Sequence, residues 1–276
     1  MNKSIGFVIL VWNSEKVIEK CLSSIVALKK ITPKVVIVDN GSSDNSFSIV
    51  DGYVKKYPAI FDCIKYDRNK GTTVSRNAGL KRLMDNRLDY YCILDSDTVI
   101  NDVAFSILVE NMASNPKYGI IGPTMISSSG IEQISARPFP TVLEKFFKAV
   151  PIRFIQKIGE KIEKQDTLSK DRESYPVDYL MSACWLIRPE LLESVGLLDE
   201  NIFYAPEDAE YCIRVWKKGY QVAFCPKAKI IHEWQRLSKK KLISRINWEH
   251  IKGLAYMFKK HHYCFSVNNL KRSFNK

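Results

Sequence analysis

Over the first 125 residues, short apolar runs alternate with stretches in which apolar residues recur at helical spacing. Residues 6–12 (GFVILVW) are apolar without alternation, which marks a strand covered on both faces. Val17, Cys21, Leu22 and Ile25 then follow a helical period. Residues 34–39 (KVVIVD) read as a second strand, 45–57 as an amphipathic helix and 61–66 as a third strand. A helix from about 73 to 84 leads to a fourth strand at 90–94 (YYCIL), a helix over about 103–115 and a fifth strand at 119–122. Strands joined by single helices predict an α/β fold with a mostly parallel, Rossmann-like sheet flanked by helices. In such sheets ligands bind beyond the carboxyl ends of the strands. Asp39 and Asp95 each close a strand, so both are expected on one edge.

Residues 130–176 break this rhythm. Basic residues mix there with apolar ones at helical spacing (Val142 and Phe146; Ile155, Ile158 and Ile162), which predicts a helical insertion ending in a polar run. Regular structure is expected again from 177, with a helix at 209–220 and two short strands at 221–224 and 229–232. Residues 236–276 carry eleven Lys or Arg against one acid, Glu249, while Ile243, Ile246, His250, Leu254 and Met257 share one helical face. A basic amphipathic helix of this kind suits an anionic membrane surface; a helix packed on the core with a solvated basic face fits equally. The organisation expected is one domain over 1–235 (halves 1–125 and 177–235 around a variable 126–176) with an extension over 236–276.

Composition adds three constraints. The chain has 276 residues, enough for one large domain. A formal charge of +12 calls for an anionic partner. Seven cysteines with no C-x-x-C pair suit a reducing cytoplasm. The N-terminal apolar run has strand length and no small-residue cleavage site after it, so no signal peptide is expected, and no apolar stretch is long enough to span a bilayer.

Candidate chemistry centres on LDSDTV, in which Asp95 and Asp97 stand one residue apart at a strand end. If the segment is extended, both carboxylates point the same way, about 6.5–7 Å apart. Such a pair can be a divalent metal site, a phosphoaspartate nucleophile with its acid, or a capped strand end without chemistry. Oxygen ligands favour Mg2+ or Mn2+. The run VDNGSSDNS (38–46) places an aspartate before a turn and a helix start, and YDRNKGTTVSRNAGL (66–80) places Arg76 just inside a helix. Loops feeding helix N-termini suit anions, and together these two outline a nucleotide diphosphate pocket. Glu207 and Asp208 open a later helix, where first-turn acids also serve the helix dipole. His232 closes KAKIIH.

These residues, with GIIGP, SACWLIRPELLESVGLLDENIF and PEDAEYCIRVWKKGY, resemble family 2 glycosyltransferases of the GT-A fold over residues 5 to about 125 and 177 to 233. ARPFP (136–140) is similar to the bacterial rhamnosyltransferase-like branch. The resemblance implies that Asp39, with the backbone around Val11 and Asn13, reads a pyrimidine base. It implies that Arg76 contacts diphosphate or ribose, and that Asp95 and Ser96 lie by the ribose or donor sugar. Asp97 and His232 would hold Mn2+ or Mg2+, and Asp208 would be the catalytic base. Glu207 would orient the acceptor, with Trp185 lining its pocket. The expected reaction is inverting transfer from dTDP-rhamnose or a UDP-sugar to a surface-polysaccharide or lipid-linked glycan, at the inner face of a bacterial plasma membrane.

Two rivals stand beside it. A haloacid-dehalogenase-type phosphohydrolase would use Asp95 as nucleophile and Asp97 as acid, but leaves the motifs around Asp39 and Arg76 unexplained. An inactive nucleotide-sugar-binding protein would not need Asp95, Asp97, Asp208 and His232 together. A dinucleotide oxidoreductase is disfavoured further, because NSEKV, not G-x-G-x-x-G, follows the first strand. Nucleic acid is not expected, since the basic residues concentrate away from the site.

Overall fold

The apolar runs of the first half form a sheet with both faces covered. The structure is a computed structural model that describes residues 2–133, 135–149, 173–233 and 245–275. Its elements run β1 (Lys3–Val11), α1 (Ile18–Val26), β2 (Ile31–Asp39), α2 (Ser46–Lys56), β3 (Phe61–Lys65), α3 (Thr72–Met84), β4 (Tyr90–Asp95), β5 (Thr98–Val99), α4 (Asp102–Ser114) and β6 (Tyr118–Ile126). Then come β7 (Glu132–Gln133), β8 (Ala136–Arg137), α5 (Val142–Ala149), β9 (Tyr175–Pro176), β10 (Tyr179–Leu180), β11 (Cys184–Ile187) and α6 (Pro189–Ser194). Last are α7 (Glu207–Lys217), β12 (Gln221–His232), α8 (Arg245–His261) and α9 (Asn268–Arg272).

The main sheet has the order β3-β2-β1-β4-β11-β6-β12-β5. The first four strands are parallel, as expected. β11 enters between β4 and β6 antiparallel to both, while β12 returns parallel to β6. The two short strands expected at 221–224 and 229–232 are one strand, β12, with a register break between Cys225 and Lys229.

Alternation along β1 divides the core. Ile5, Phe7, Ile9 and Val11 pack with Ile18, Leu22 and Ile25 of α1 and Phe105 and Leu108 of α4. Val8 joins Val36, Val38 and the α3 residues Leu80 and Leu83 on the opposite face. Gly79 lets α3 lie flush on β1, since a Cβ there would stand 2.6 Å from Val8 Cγ1. Asp39 and Asp95 emerge on either side of the β1 end, level with Val11 and Leu10.

Of the two readings of the C-terminal segment, packing on the core is the arrangement found for α8 and α9. Met257 is fully buried and Leu270 nearly so, in one cluster with Tyr211 and Ile213 of α7. Gly253 brings the α8 backbone against the carbonyl of Ala205. Two basic groups of α8 converge on Glu210, a fully buried residue of α7. Lys260 Nζ lies 2.8 Å from its carboxylate, and His261 Nε2 lies 3.2 Å away. Lys217 Nζ donates to His261 Nδ1 at 3.0 Å, so the ring is neutral and its Nε2–H faces Glu210. Within the insertion, α5 is the helix expected around Val142; Ile155, Ile158, Ile162 and, in the C-terminal segment, Ile243 lie outside the described residues. Among the described residues, no helix is long and apolar enough to cross a membrane.

This docking has a pH signature. Burial would raise Glu210, but His261, Arg214 and Lys260 outweigh it and hold the carboxyl below its ordinary value. Burial lowers His261 below the ordinary imidazole value, against the pull of Glu210. Both shifts mean that the unfolded chain binds more protons in acid, so stability is present at neutral pH and falls with pH. The loss should begin below the ordinary imidazole pKa of about 6.5 and steepen below about 4.3, the ordinary glutamate value. Urea midpoints should drop between pH 5 and pH 3, and Glu210→Gln should flatten that acid limb, because it removes the depressed carboxyl. An unaltered acid slope in the variant would contradict the assignment.

Candidate active site

Four chain segments meet beyond the carboxyl ends of β1, β2 and β4. The first is Asp39, fully buried at the end of β2, where neither carboxylate oxygen has a hydrogen-bond partner. Its own carbonyl accepts from Tyr66 N, and Asn40 N donates to Val11 O at 2.8 Å, so backbone bonds on both sides fix the strand end. Asn13 adopts a left-handed φ of 50°, and its Oδ1 accepts from Ser43 N at 2.8 Å. The Asn13 side chain thereby staples the loop after β1 to the loop after β2. Ser96 Oγ lies 2.9 Å from Ser14 Oγ at the cleft wall.

The second segment is the LDSDTV end of β4. The strand stops at Asp95, and Ser96 and Asp97 form a turn closed by Thr98 Oγ1 donating to Asp95 O at 2.7 Å. The extended arrangement expected for Asp95 and Asp97 is therefore not the one found. The turn, together with antiparallel pairing of Thr98 with His232, gathers Asp95, Asp97 and His232 so that one ligand atom from each lies within 4.8 Å of the others. His232 Nε2 is 3.2 Å from Asp97 Oδ1. Burial alone would lower the His232 pKa, but Asp97 and then Asp95 and Glu233 carry it above the ordinary value. Two carboxylates and an imidazole form the mixed oxygen and nitrogen set that suits Mn2+ and accepts Mg2+. Asp95, expected beside the ribose, thus also belongs to the candidate metal group.

Arg76 is the third component and is 4% exposed. Its Nη2 donates to Asp95 Oδ1 at 2.7 Å, and its Nη1 to Ser182 Oγ at 2.7 Å and Glu207 Oε1 at 3.0 Å. Expected to meet diphosphate or ribose, Arg76 has both terminal nitrogens engaged by protein oxygens, leaving Nε without a partner. The α3 N-terminus, expected to hold an anion, gives its first amide to the chain instead: Thr72 N donates to Phe203 O at 2.7 Å. Gly71, at φ 91°, is required there, because a Cβ would sit 2.5 Å from that same oxygen. The segment carrying Phe203 and Tyr204 consequently roofs a cleft floored by Asn40 and Gly71 and walled by Trp12, Ser14, Ser96 and Asp97.

The fourth component opens α7. Glu207 is buried, and burial together with neighbouring Asp208 pushes its carboxyl up to about 8 despite Arg76. Asp208 is half-buried and accepts from Ala209 N at 2.7 Å. Burial raises its pKa, opposed by that bond and by the positive charges of Arg137, Arg76 and Lys145. Glu207 is thus held in place by Arg76 and Ser182, whereas Asp208 keeps an accessible carboxylate. Trp185 does not line an acceptor pocket. It sits in β11 with no exposed surface, stacked on Tyr211 at 5.9 Å. An apolar strand between β4 and β6 has no solvent-facing side, and CWLI carried that signal.

An open sheet with mixed strand order, a buried carboxyl without a partner at one strand end and an acidic turn at the next fit a GT-A type α/β domain. The likeness to solved structures agrees. The structure of GalNAc-T7 with UDP, GalNAc and Mn2+ is similar at TM-score 0.67 and 16% identity, covering 99% of this chain and 54% of that one. A mannosyltransferase from Pyrobaculum calidifontis in complex with GDP-Man and Mn2+ is similar at TM-score 0.65 and 14% identity, over 100% of this chain and 69% of that one. Residues 7–196 match Glycosyl transferase family 2, and the chain belongs to that family. It is also 25% identical to a poly-beta-1,6-N-acetyl-D-glucosamine synthase of Staphylococcus aureus (strain COL), over 82% of this chain and 49% of the relative. The chain spans half or less of the length of the relatives it matches. Family membership removes the phosphohydrolase reading of Asp95 and Asp97.

Proposed function

We propose that this chain transfers a sugar from a pyrimidine nucleoside diphosphate to a hydroxyl of a growing bacterial surface glycan, with inversion at the anomeric carbon. The observation that carries the reading is the Asp95, Asp97 and His232 donor set, with Asp95 and Asp97 lining a cleft whose Tyr204 also feels the charge of Asp208. Asp39 supports the base: both of its buried carboxyl oxygens lack a partner, and such an oxygen can accept from an N–H such as the pyrimidine N3–H. UDP-sugars and dTDP-rhamnose both present that group, and the narrower likeness to rhamnosyltransferases rests on Ala136–Pro140. A UDP-sugar is favoured, because the relative from S. aureus is named for a polymer of N-acetylglucosamine and one fold neighbour holds UDP and Mn2+.

The chemistry follows from the positions. Mn2+ or Mg2+ held by Asp95, Asp97 and His232 would neutralise charge on the leaving diphosphate. Asp208 takes the proton of the acceptor hydroxyl as its oxygen bonds to the anomeric carbon. The bond from that carbon to the diphosphate oxygen breaks, and the electron pair leaves with the nucleoside diphosphate. A carboxyl raised by burial is the better base near neutral pH. Arg76 and Ser182 hold Glu207 beside it, where its carboxyl orients the acceptor. Asp208→Asn should bind donor as the wild type does while kcat falls about 100-fold or more, and Asp97→Ala should abolish metal-dependent donor turnover. Full activity in Asp208→Asn would remove it as the base.

The reading of an acceptor at an anionic membrane surface is supported by the basic C-terminal segment and by the exposed Trp248 and Ile251 of α8. Sedimentation with phosphatidylglycerol vesicles should fall for Trp248→Ser relative to the wild type. Equal sedimentation of both proteins would count against a membrane-borne acceptor.

A further inference from the structure

His232 closes β12, and its ring lies between Asp97 and a residue of the hairpin that follows β6. That residue is Gln133, paired with Met125 in the β6–β7 ladder. Gln133 Nε2 donates to the His232 carbonyl at 2.7 Å. Gln133 Oε1 stands 2.7 Å from His232 Nδ1. Turning the amide over would set two oxygens against each other at the carbonyl, so the orientation is fixed by chemistry as well as by position. An amide oxygen only accepts, hence Nδ1 carries the hydrogen. A neutral imidazole has one N–H, which leaves a lone pair on Nε2.

That lone pair faces Asp97 Oδ1, another acceptor, at 3.2 Å. Two acceptors at this separation require a cation or a proton between them. Asp95 supplies a third acceptor to the same small volume. We propose that Gln133 is a positioning residue that fixes His232 as the Nδ1–H tautomer and presents Nε2 to a divalent cation. The inference rests on the reading of Asp95, Asp97 and His232 as metal ligands and adds a residue from outside them. Gln133 grips the histidine twice, at its backbone and at its ring, so it sets ring orientation as well as proton position. Without that acceptor, the remaining hydrogen bond open to the ring is Nε2–H to Asp97, which would occupy the ligand atom.

The test uses the metal-free full chain in alkaline solution, where the ring is neutral. Ring 15N–1H correlation spectra, assigned against His232→Gln, should show Nδ1–H in the wild type and Nε2–H in Gln133→Met. Gln133→Glu keeps an acceptor for Nδ1–H and should retain the wild-type pattern. Calorimetric titration with Mn2+ should give a Kd about 10–100-fold weaker for Gln133→Met. Nε2–H in the wild type would overturn the proposal, as would an unchanged Mn2+ Kd in Gln133→Met. A lower melting temperature with Nδ1–H retained in Gln133→Met would overturn it too, by reducing Gln133 to a structural role. Absence of Mn2+ binding by the wild type would remove the metal reading, while the ring spectra would still decide what Gln133 does.

Discussion

A guanidinium that is 4% exposed must be paired, and Arg76 finds its partners in distant parts of the chain. One terminal nitrogen holds Asp95 at the end of β4, and the other holds Glu207 at the start of α7. That demand ties the end of β4 to the acidic start of α7. Losing the guanidinium would free Asp95 and take from the buried Glu207 the positive charge that opposes the rise of its pKa. The family match ends at residue 196, yet Glu207, Asp208 and His232 lie beyond it. Arg76 with Glu207 and Asp97 with His232 are the contacts that join the two parts into one site. Glu210 extends the same logic outward, since its buried charge ties α8 to α7 one turn beyond Glu207 and Asp208.

Much of this was legible in the sequence. Apolar runs without alternation gave the parallel strands, and strand-end aspartates in a parallel sheet must share an edge, which placed Asp39 and Asp95. The acidic pair Glu207 and Asp208 could be placed at a helix start, but first-turn acids also serve the helix dipole, and the family resemblance alone singled the pair out. The partners of Arg76 were not readable, because sequence spacing carries no information about which distant oxygens meet a buried cation. The Ser96–Asp97 turn was hidden for a related reason: D-S-D is compatible with strand or turn, and the pairing of Thr98 with His232 decides between them.

Two misreadings have plain causes. Trp185 was assigned to an acceptor pocket through the family resemblance alone, but its strand neighbours are all apolar and β11 is buried along its whole length. Gln133 drew no attention, lying in a short hairpin with no periodicity in a region set aside as variable. Its role emerges only when hydrogen-bond donors and acceptors around His232 are assigned one by one. The C-terminal segment shows the limit of composition: basic residues suggested a surface, yet two of them, Lys260 and His261, serve the buried Glu210.

The most direct test of the account is calorimetric titration of the wild-type chain with UDP and with GDP, each in the presence and absence of Mn2+. The account predicts UDP binding that strengthens with Mn2+ and little binding of GDP, with the UDP signal lost in Asp39→Leu. Binding of GDP in preference to UDP, or of neither nucleotide under either metal condition, would contradict it.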